Sequence, residues 1–422
     1  MRKNMMCDFI IKSSIIILSL ICLGFINDPY DIKWGAVYLL FLNLYLLWIT
    51  RKNIFTLIIS SFLLWFNYSI FVANYFIDLD TIFIQDAYTN EAMIGYKIIL
   101  TFFTIVCIFV KRIENRTGKI QLQSTIKGNI LLGRLFLLIL TGILIFGFDR
   151  PSAGGERGNP STIYEYSIII FIVGNYFFSW KREYKIGSTV LFLFYTLQNL
   201  LYGGRVTALQ LLIVFFLFSV SQKEKINWKK LIPIIIVMFI IFIGIGIFRA
   251  NFVLSIDSFK AIFGSIFGEA FTLDTAYSAY YTSLTFIKTE MLTNNGRRLE
   301  LFFKFCLSIF LGGSVSDSNL AVYTRQFFTH YYGGVLPFFG HFYLGYIGVV
   351  LLAILIIKYI NSFSLLNNKS SGFLKCFAIY IVATTPRWYL YSPSSLLRGT
   401  LIFIIFFWLT KQVCRLSIKS GK

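Results

Sequence analysis

KREYKIGSTVLFLFYTLQNLLYGGRVTALQLLIVFFLFSVSQKEK, residues 181–225, decides how the rest of the chain is read. Two apolar runs, 186–202 and 206–221, meet at a turn, and lysines bound both outer ends. Each run is close to spanning length. Two crossings return the second lysine cluster to the side of the first. The turn itself, Tyr202-Gly203-Gly204-Arg205, puts an arginine on the opposite side, beside glycines that permit a sharp reversal.

Working outward, apolar runs of the same kind place spans near 9–26, 34–50, 54–77, 93–110, 130–148, 163–180, 231–248, 335–360, 373–391 and 399–413. They predict an all-α polytopic integral membrane protein with about a dozen transmembrane helices. The segments RKN (51–53), KRIENRTGK (111–119), QKEKINWKK (222–230), NNKSSG (367–372) and the C-terminal tail then share one face with KREYK. By the positive-inside rule that face is cytoplasmic, with both termini inside. The opening MRKNMMCDFIIKSSIIILSLICLGFI lacks a small-x-small cleavage site and reads as a signal anchor.

Composition points the same way. A chain 57% hydrophobic, 19% aromatic and 14% charged is not an ordinary soluble globule. Its net charge of +20 lies mostly in lysines flanking the spans, where it sets topology and meets anionic lipid heads, so no nucleic-acid partner is expected. Of six cysteines only Cys306 falls clearly in an external segment, which argues against a disulfide framework. The chain divides into spans 1 to 9 (1–248), a long external loop (249–334), and spans 10 to 12 with the tail (335–422). The loop holds two amphipathic helix candidates, 258–288 and 299–311. No fixed-period repeat and no matched pair of interrupted helices supports a transporter.

The outer face should be poor in positive charge, yet it carries Arg150, Arg157, Arg205, Arg249, Arg297, Arg298, Arg325, Arg387 and Arg398. Guanidinium forks in such a place point to a phosphate or carboxylate. Arg205, Arg249, Arg325, Arg387 and Arg398 abut span ends and are the diphosphate candidates; Arg150, Arg157, Arg297 and Arg298 read as solvated loop charges. His341, near the start of an apolar helix, is the first candidate for a general base, ahead of Glu269 and His330. The aromatic residues of PRWYLYSPSSLLR (386–398) read as an interfacial belt, with a sugar-stacking platform as the alternative. Asp78 and Asp80 make a lone D-x-D, too little for a metal site, and neither metal nor cofactor is expected.

About twelve spans, a long late external loop, the GGR turn before it and GHFYLGYIG (340–348) after it resemble bacterial O-antigen polymerases. These belong to a wider group of lipid-linked oligosaccharide polymerases and O-antigen ligases. The architectural likeness runs along nearly the whole chain; residue-level likeness is confined to 202–212 and 337–352. The resemblance implies a metal-independent glycosyltransferase joining undecaprenyl-diphosphate-linked repeat units at the periplasmic face of the inner membrane, in lipopolysaccharide O-antigen synthesis. It places the donor diphosphate on Arg205, with Arg325 and Arg387 as further candidates. The ligase branch uses a histidine just ahead of its following span, the place of His341 here. Some polymerases carry an Arg-x10-Gly motif; eleven residues separate Arg387 from Gly399, so that motif is not met. The implied partners are the lipid-linked oligosaccharide, membrane lipids and a polysaccharide chain-length regulator. Rival readings are a ligase transferring glycan to lipid A-core, a flippase for the lipid-linked unit, and a metal-dependent glycosyltransferase using Asp78 and Asp80. A flippase would line its spans with arginines, and only Arg134 reads as well inside one.

Overall fold

The computed structural model describes residues 2–28, 31–72, 89–113, 120–126, 128–149, 159–201, 204–220, 274–330 and 333–420. The expected span 231–248, the first part of the 258–288 candidate, Glu269, Arg249, Asp78, Asp80, Arg150 and Arg157 lie outside them. Arg205 is described in its backbone alone. Apart from a two-residue ladder pairing Phe148 with Pro160 and Asp149 with Asn159, the regular structure described is helical. Among the described residues six helices are long and apolar enough to cross a membrane, as a membrane-embedded protein requires.

The helices fall into two compact units. The first holds α1 (Arg2–Phe25), α2 (Ile32–Thr50), α3 (Ile54–Asn67) and α4 (Thr89–Phe109). It continues with α9 (Asp274–Leu292), α10 (Asn295–Leu311), α11 (Leu320–Thr324), α12 (Leu336–Ser364) and α14 (Thr385–Leu390). The second holds α5 (Ile130–Phe146), α6 (Thr162–Phe178), α7 (Arg182–Leu201), α8 (Arg205–Val220) and α13 (Gly372–Ala383). Residues 393–398 of α15 (Pro393–Ser420) belong to the first unit and the remainder to the second.

In the first unit α4 is central, packing on α12, α2, α1 and α9. Side-chain amides fasten its lysine-rich end. Asn53 caps α3 by accepting from the backbone of Phe55 and Thr56, and donates to Phe363 O at 2.9 Å. Asn361 accepts from Lys111 N at 2.9 Å. In the second unit the Tyr195 hydroxyl crosses to Leu140 O at 2.8 Å. Lys375 donates to the carbonyls of Gln121 and Asn368, which ties two lysine-side loops to α13.

Four expectations change. The tenth span, 335–360, is not one helix: Gly345 has φ 61° and ψ −150°, a conformation essentially reserved for glycine. A Cβ placed on Gly348 would collide with the backbone of Gly340. Eight residues along a continuous helix would hold those backbones about 12 Å apart. The chain therefore doubles back at Gly345, making α12 a hairpin of a short arm, 336–344, and a long arm, 346–364. The long arm alone is still of spanning length, about 20 residues.

The eleventh span, 373–391, is interrupted between α13 and α14, with Pro386 in the first turn of α14, where a missing N–H does no harm. Trp388 and Tyr389 of α14 are fully buried, and Tyr389 stacks on Phe66 with ring centroids 5.7 Å apart. They belong to the core rather than to an interfacial belt. The described part of the 258–288 candidate is a core helix, not a surface one. In α9, Thr282, Ser283, Thr285 and Thr289 are buried, each hydroxyl donating to a carbonyl one turn back. Arg134 is mostly exposed in the first turns of α5 and pairs with Glu183 at 3.2 Å.

Candidate functional site

The reversal at Gly345 creates the site. In a continuous helix the carbonyls of His341 and Phe342 would accept from the N–H groups four residues on. Breaking the helix there leaves both carbonyls needing donors, at the negative end of the short arm. Arg298 supplies them. Its Nε donates to Phe342 O at 2.6 Å and its Nη2 to His341 O at 3.2 Å.

Local sequence puts Arg298 within reach. Asn294 caps α10, its side chain accepting from Arg297 N at 2.8 Å, so Arg298 sits in the first turn of α10. The last turn of α9 brings Glu290 opposite. Glu290 Oε1 pairs with Arg298 Nη1 at 2.9 Å, and Oε2 lies 2.9 Å from His341 Nδ1. The side chains of Arg298, Glu290 and His341 are 14%, 19% and 11% exposed, so their charges are largely screened from bulk water by protein.

The bond to Glu290 fixes the chemistry of His341. An ionised carboxylate only accepts, so Nδ1 carries the hydrogen and neutral imidazole presents Nε2 as an acceptor. Among the described residues no side chain is bonded to that Nε2. The ring of Tyr346, the first residue after the turn, stands edge-on to His341 with centroids 5.0 Å apart and is 44% exposed. The arrangement is an imidazole oriented by a carboxylate, which is itself held by a guanidinium, the geometry a general base requires.

The other expected residues sort differently. Arg298, read as a solvated loop charge, is an integral part of the site. Its neighbour Arg297 is not solvated alone either, bonding Glu300 at 2.6 Å and Asp317 at 3.1 Å. Arg398 donates from Nη2 to Ser308 O at 2.8 Å and lies against Gly312, closing the end of α10. Arg387 is half-buried in α14, where its carbonyl accepts from Tyr391 N. Arg325 is exposed just after α11. His330 is buried, with Thr324 Oγ1 2.8 Å from its Nε2, which pins the turn after α11.

In the second unit, Gly204 donates to Asn199 O at 2.7 Å and accepts from Ala208 N. Beside it Asn199 and Gln198 both bond the Tyr164 hydroxyl, at 2.8 and 2.9 Å. Among the described residues no three His, Cys, Asp or Glu side chains come together as a metal site. Glu290 is the residue the sequence hid. It lies in KTEMLTNNGRR (288–298), which reads as a charged loop, and only folding brings it to His341.

No protein-family model, curated protein or solved structure matches the chain.

Proposed function

We propose that the protein is a membrane-embedded glycosyltransferase that joins undecaprenyl-diphosphate-linked oligosaccharide repeat units on the outer face of the inner membrane. In this reading about twelve helices cross the bilayer, the lysine-rich ends are cytoplasmic, and His341 faces the periplasm. The observation that carries the reading is the His341–Glu290 pair, set on a helical hairpin by the Arg298 guanidinium.

The reaction asks little else of the protein. An acceptor sugar hydroxyl attacks the anomeric carbon of the donor, and the bond from that carbon to the diphosphate oxygen breaks. The electron pair leaves with undecaprenyl diphosphate. The hydroxyl proton passes to His341 Nε2, and Glu290 stabilises the imidazolium that forms. Tyr346, exposed beside the imidazole, offers a ring face to the acceptor sugar. Arg205, Arg249, Arg325 and Arg387 remain the candidates to neutralise the leaving diphosphate.

The test is the surface glycolipid ladder of cells in which His341→Ala replaces the native chain at equal protein level. Loss of a general base removes about 10²–10⁴ of the rate, enough to collapse the ladder to single repeat units on the core. An unchanged ladder overturns the reading. Bare core, with polymer stranded on the carrier lipid, assigns the same site to a ligase.

A further inference from the structure

A separate feature of the second unit carries an inference independent of that reaction. At their lysine-rich ends α6, α7 and α8 enclose a cavity of about 410 Å³. That falls in the range of small-molecule sites, about 300–1,000 Å³. Its lining is graded the same way along α6 and α7, and on α8 the apolar wall, Phe218 included, ends at Ser219. α6 runs from Phe171 through Asn175 to Ser179 as it approaches the lysine side, and α8 from Phe215 to Ser219. α7 leaves that side and reverses the order, with Lys185 first, then Ser188 and Thr189, then Phe192. Spacings of three and four residues keep each series on one helix face. The deep wall is aromatic, with Phe171 and Phe192 buried and Phe192 stacked on Phe215 at 5.0 Å.

Polar capacity at the shallow end is left over. Ser179 Oγ is buried and, among the described residues, has no hydrogen-bond partner, which costs free energy unless a ligand or water supplies one. Lys185 is exposed and, among the described residues, its ammonium has no carboxylate partner. A cavity that is hydrocarbon-like at depth, hydroxyl-lined midway and cationic at its mouth matches an amphiphile with an anionic head. In the twelve-span reading proposed above, on which this step rests, α6 to α8 cross the membrane, and anionic phospholipid is the ligand of that chemistry at hand at their lysine-rich ends. We infer that this cavity is a binding site for an anionic phospholipid. The phosphate lies on Lys185 with Ser179 in reach, and one acyl chain lies over Phe171, Phe192 and Phe215.

Native mass spectrometry of the full-length detergent-purified protein tests this, with phosphatidylglycerol and phosphatidylethanolamine of identical chains as probes. Phosphatidylglycerol should be retained in preference. Lys185→Gln should lower its occupancy about fivefold, the scale of one partly screened charge contact. Thr189→Trp, which fills the cavity without touching the charge, should also lower it. Arg182→Gln, a cation on the same helix end outside the lining, should leave occupancy unchanged. Equal retention of the two lipids, or equal loss with Arg182→Gln and Lys185→Gln, overturns the proposal. So does displacement of the lipid by millimolar inorganic phosphate, which would make this an ion site and not a lipid site.

Discussion

Arg298 and Arg398 do the same structural work at two helix ends, and only one of those ends is a candidate for chemistry. Arg398 donates to Ser308 O where α10 stops; Arg298 donates to His341 O and Phe342 O where the short arm of α12 stops. A guanidinium at the negative end of a helix needs no function to explain it. What distinguishes the Gly345 reversal is surplus. Arg298 also pairs with Glu290, Glu290 also bonds His341, and among the described residues His341 has a ring nitrogen to spare. Arginine at a helix end is therefore a weak guide to function by itself, and an arginine that organises a second ionisable pair is a stronger one.

The widest gap between the two ends should appear on truncation. Arg298→Ala leaves Glu290 without its cation and two carbonyls without donors in a largely buried place, a loss of about 3 kcal/mol. Arg398→Ala removes one hydrogen bond to one carbonyl, a loss of about 1 kcal/mol. Thermal unfolding midpoints of the two purified variants measure the difference. Equal midpoints would mean that both arginines are caps and nothing more.

The backbone that makes the first end special can be attacked directly. Gly345→Ala forces a side chain into a φ, ψ region that costs about 2 kcal/mol. The cost should be visible in the unfolding midpoint, together with loss of polymer, because the reversal sets His341 against Glu290. Gly313 lies near the Arg398 end and has open space around the position of a Cβ, so Gly313→Ala is the matching control and should leave both readouts near wild type.

How much of this was legible beforehand follows from what hydropathy can and cannot register. The helices α1 to α8 stand out because an apolar run bounded by charge is a one-dimensional signal. Gly345 sits in an equally apolar run, and its reversal is a property of φ and ψ that composition does not encode. The break near Pro386 left a trace, since the residue before proline is disfavoured in a helix, but apolar neighbours on both sides concealed it. His341 could be singled out because an ionisable group in an apolar helix is costly. Glu290 and Arg298 could not, because KTEMLTNNGRR looks like any solvated turn until α9 and α10 fold it against the hairpin.

Glu290→Gln sharpens the comparison at the level of chemistry. The amide keeps the size of the carboxylate but can present a donor to Nδ1, which moves the imidazole hydrogen to Nε2 and removes the accepting lone pair. Chain extension should fall at least about tenfold, less than for loss of the base itself. The unfolding midpoint should move less than for Arg298→Ala. Full activity in Glu290→Gln would reduce the carboxylate to a strut and detach the His341 reading from its main support.

The smallest effect concerns the side chain next to Arg298, where the same helix carries charge with no imidazole to orient. Glu300 is held below the ordinary carboxylate range by its hydrogen bond to Arg297 and then by Lys304; Arg297 is raised in turn by Glu300. Arg297 and Lys304 both reach Asp317, so the network hooks the 312–319 turn onto α10. Because the folded value of Glu300 is depressed, the unfolded chain binds its proton first as pH falls. The contribution is complete above the ordinary carboxylate value and disappears as pH drops through the lower folded value. Amide hydrogen exchange in 312–319, corrected for the intrinsic rate, should therefore speed up only on acidification below that ordinary range, and Glu300→Gln should flatten the dependence. Glu300 is exposed, so solvent screening keeps the change modest and local. A rise in exchange that persisted in Glu300→Gln would place the acid-sensitive group outside this network and overturn the account.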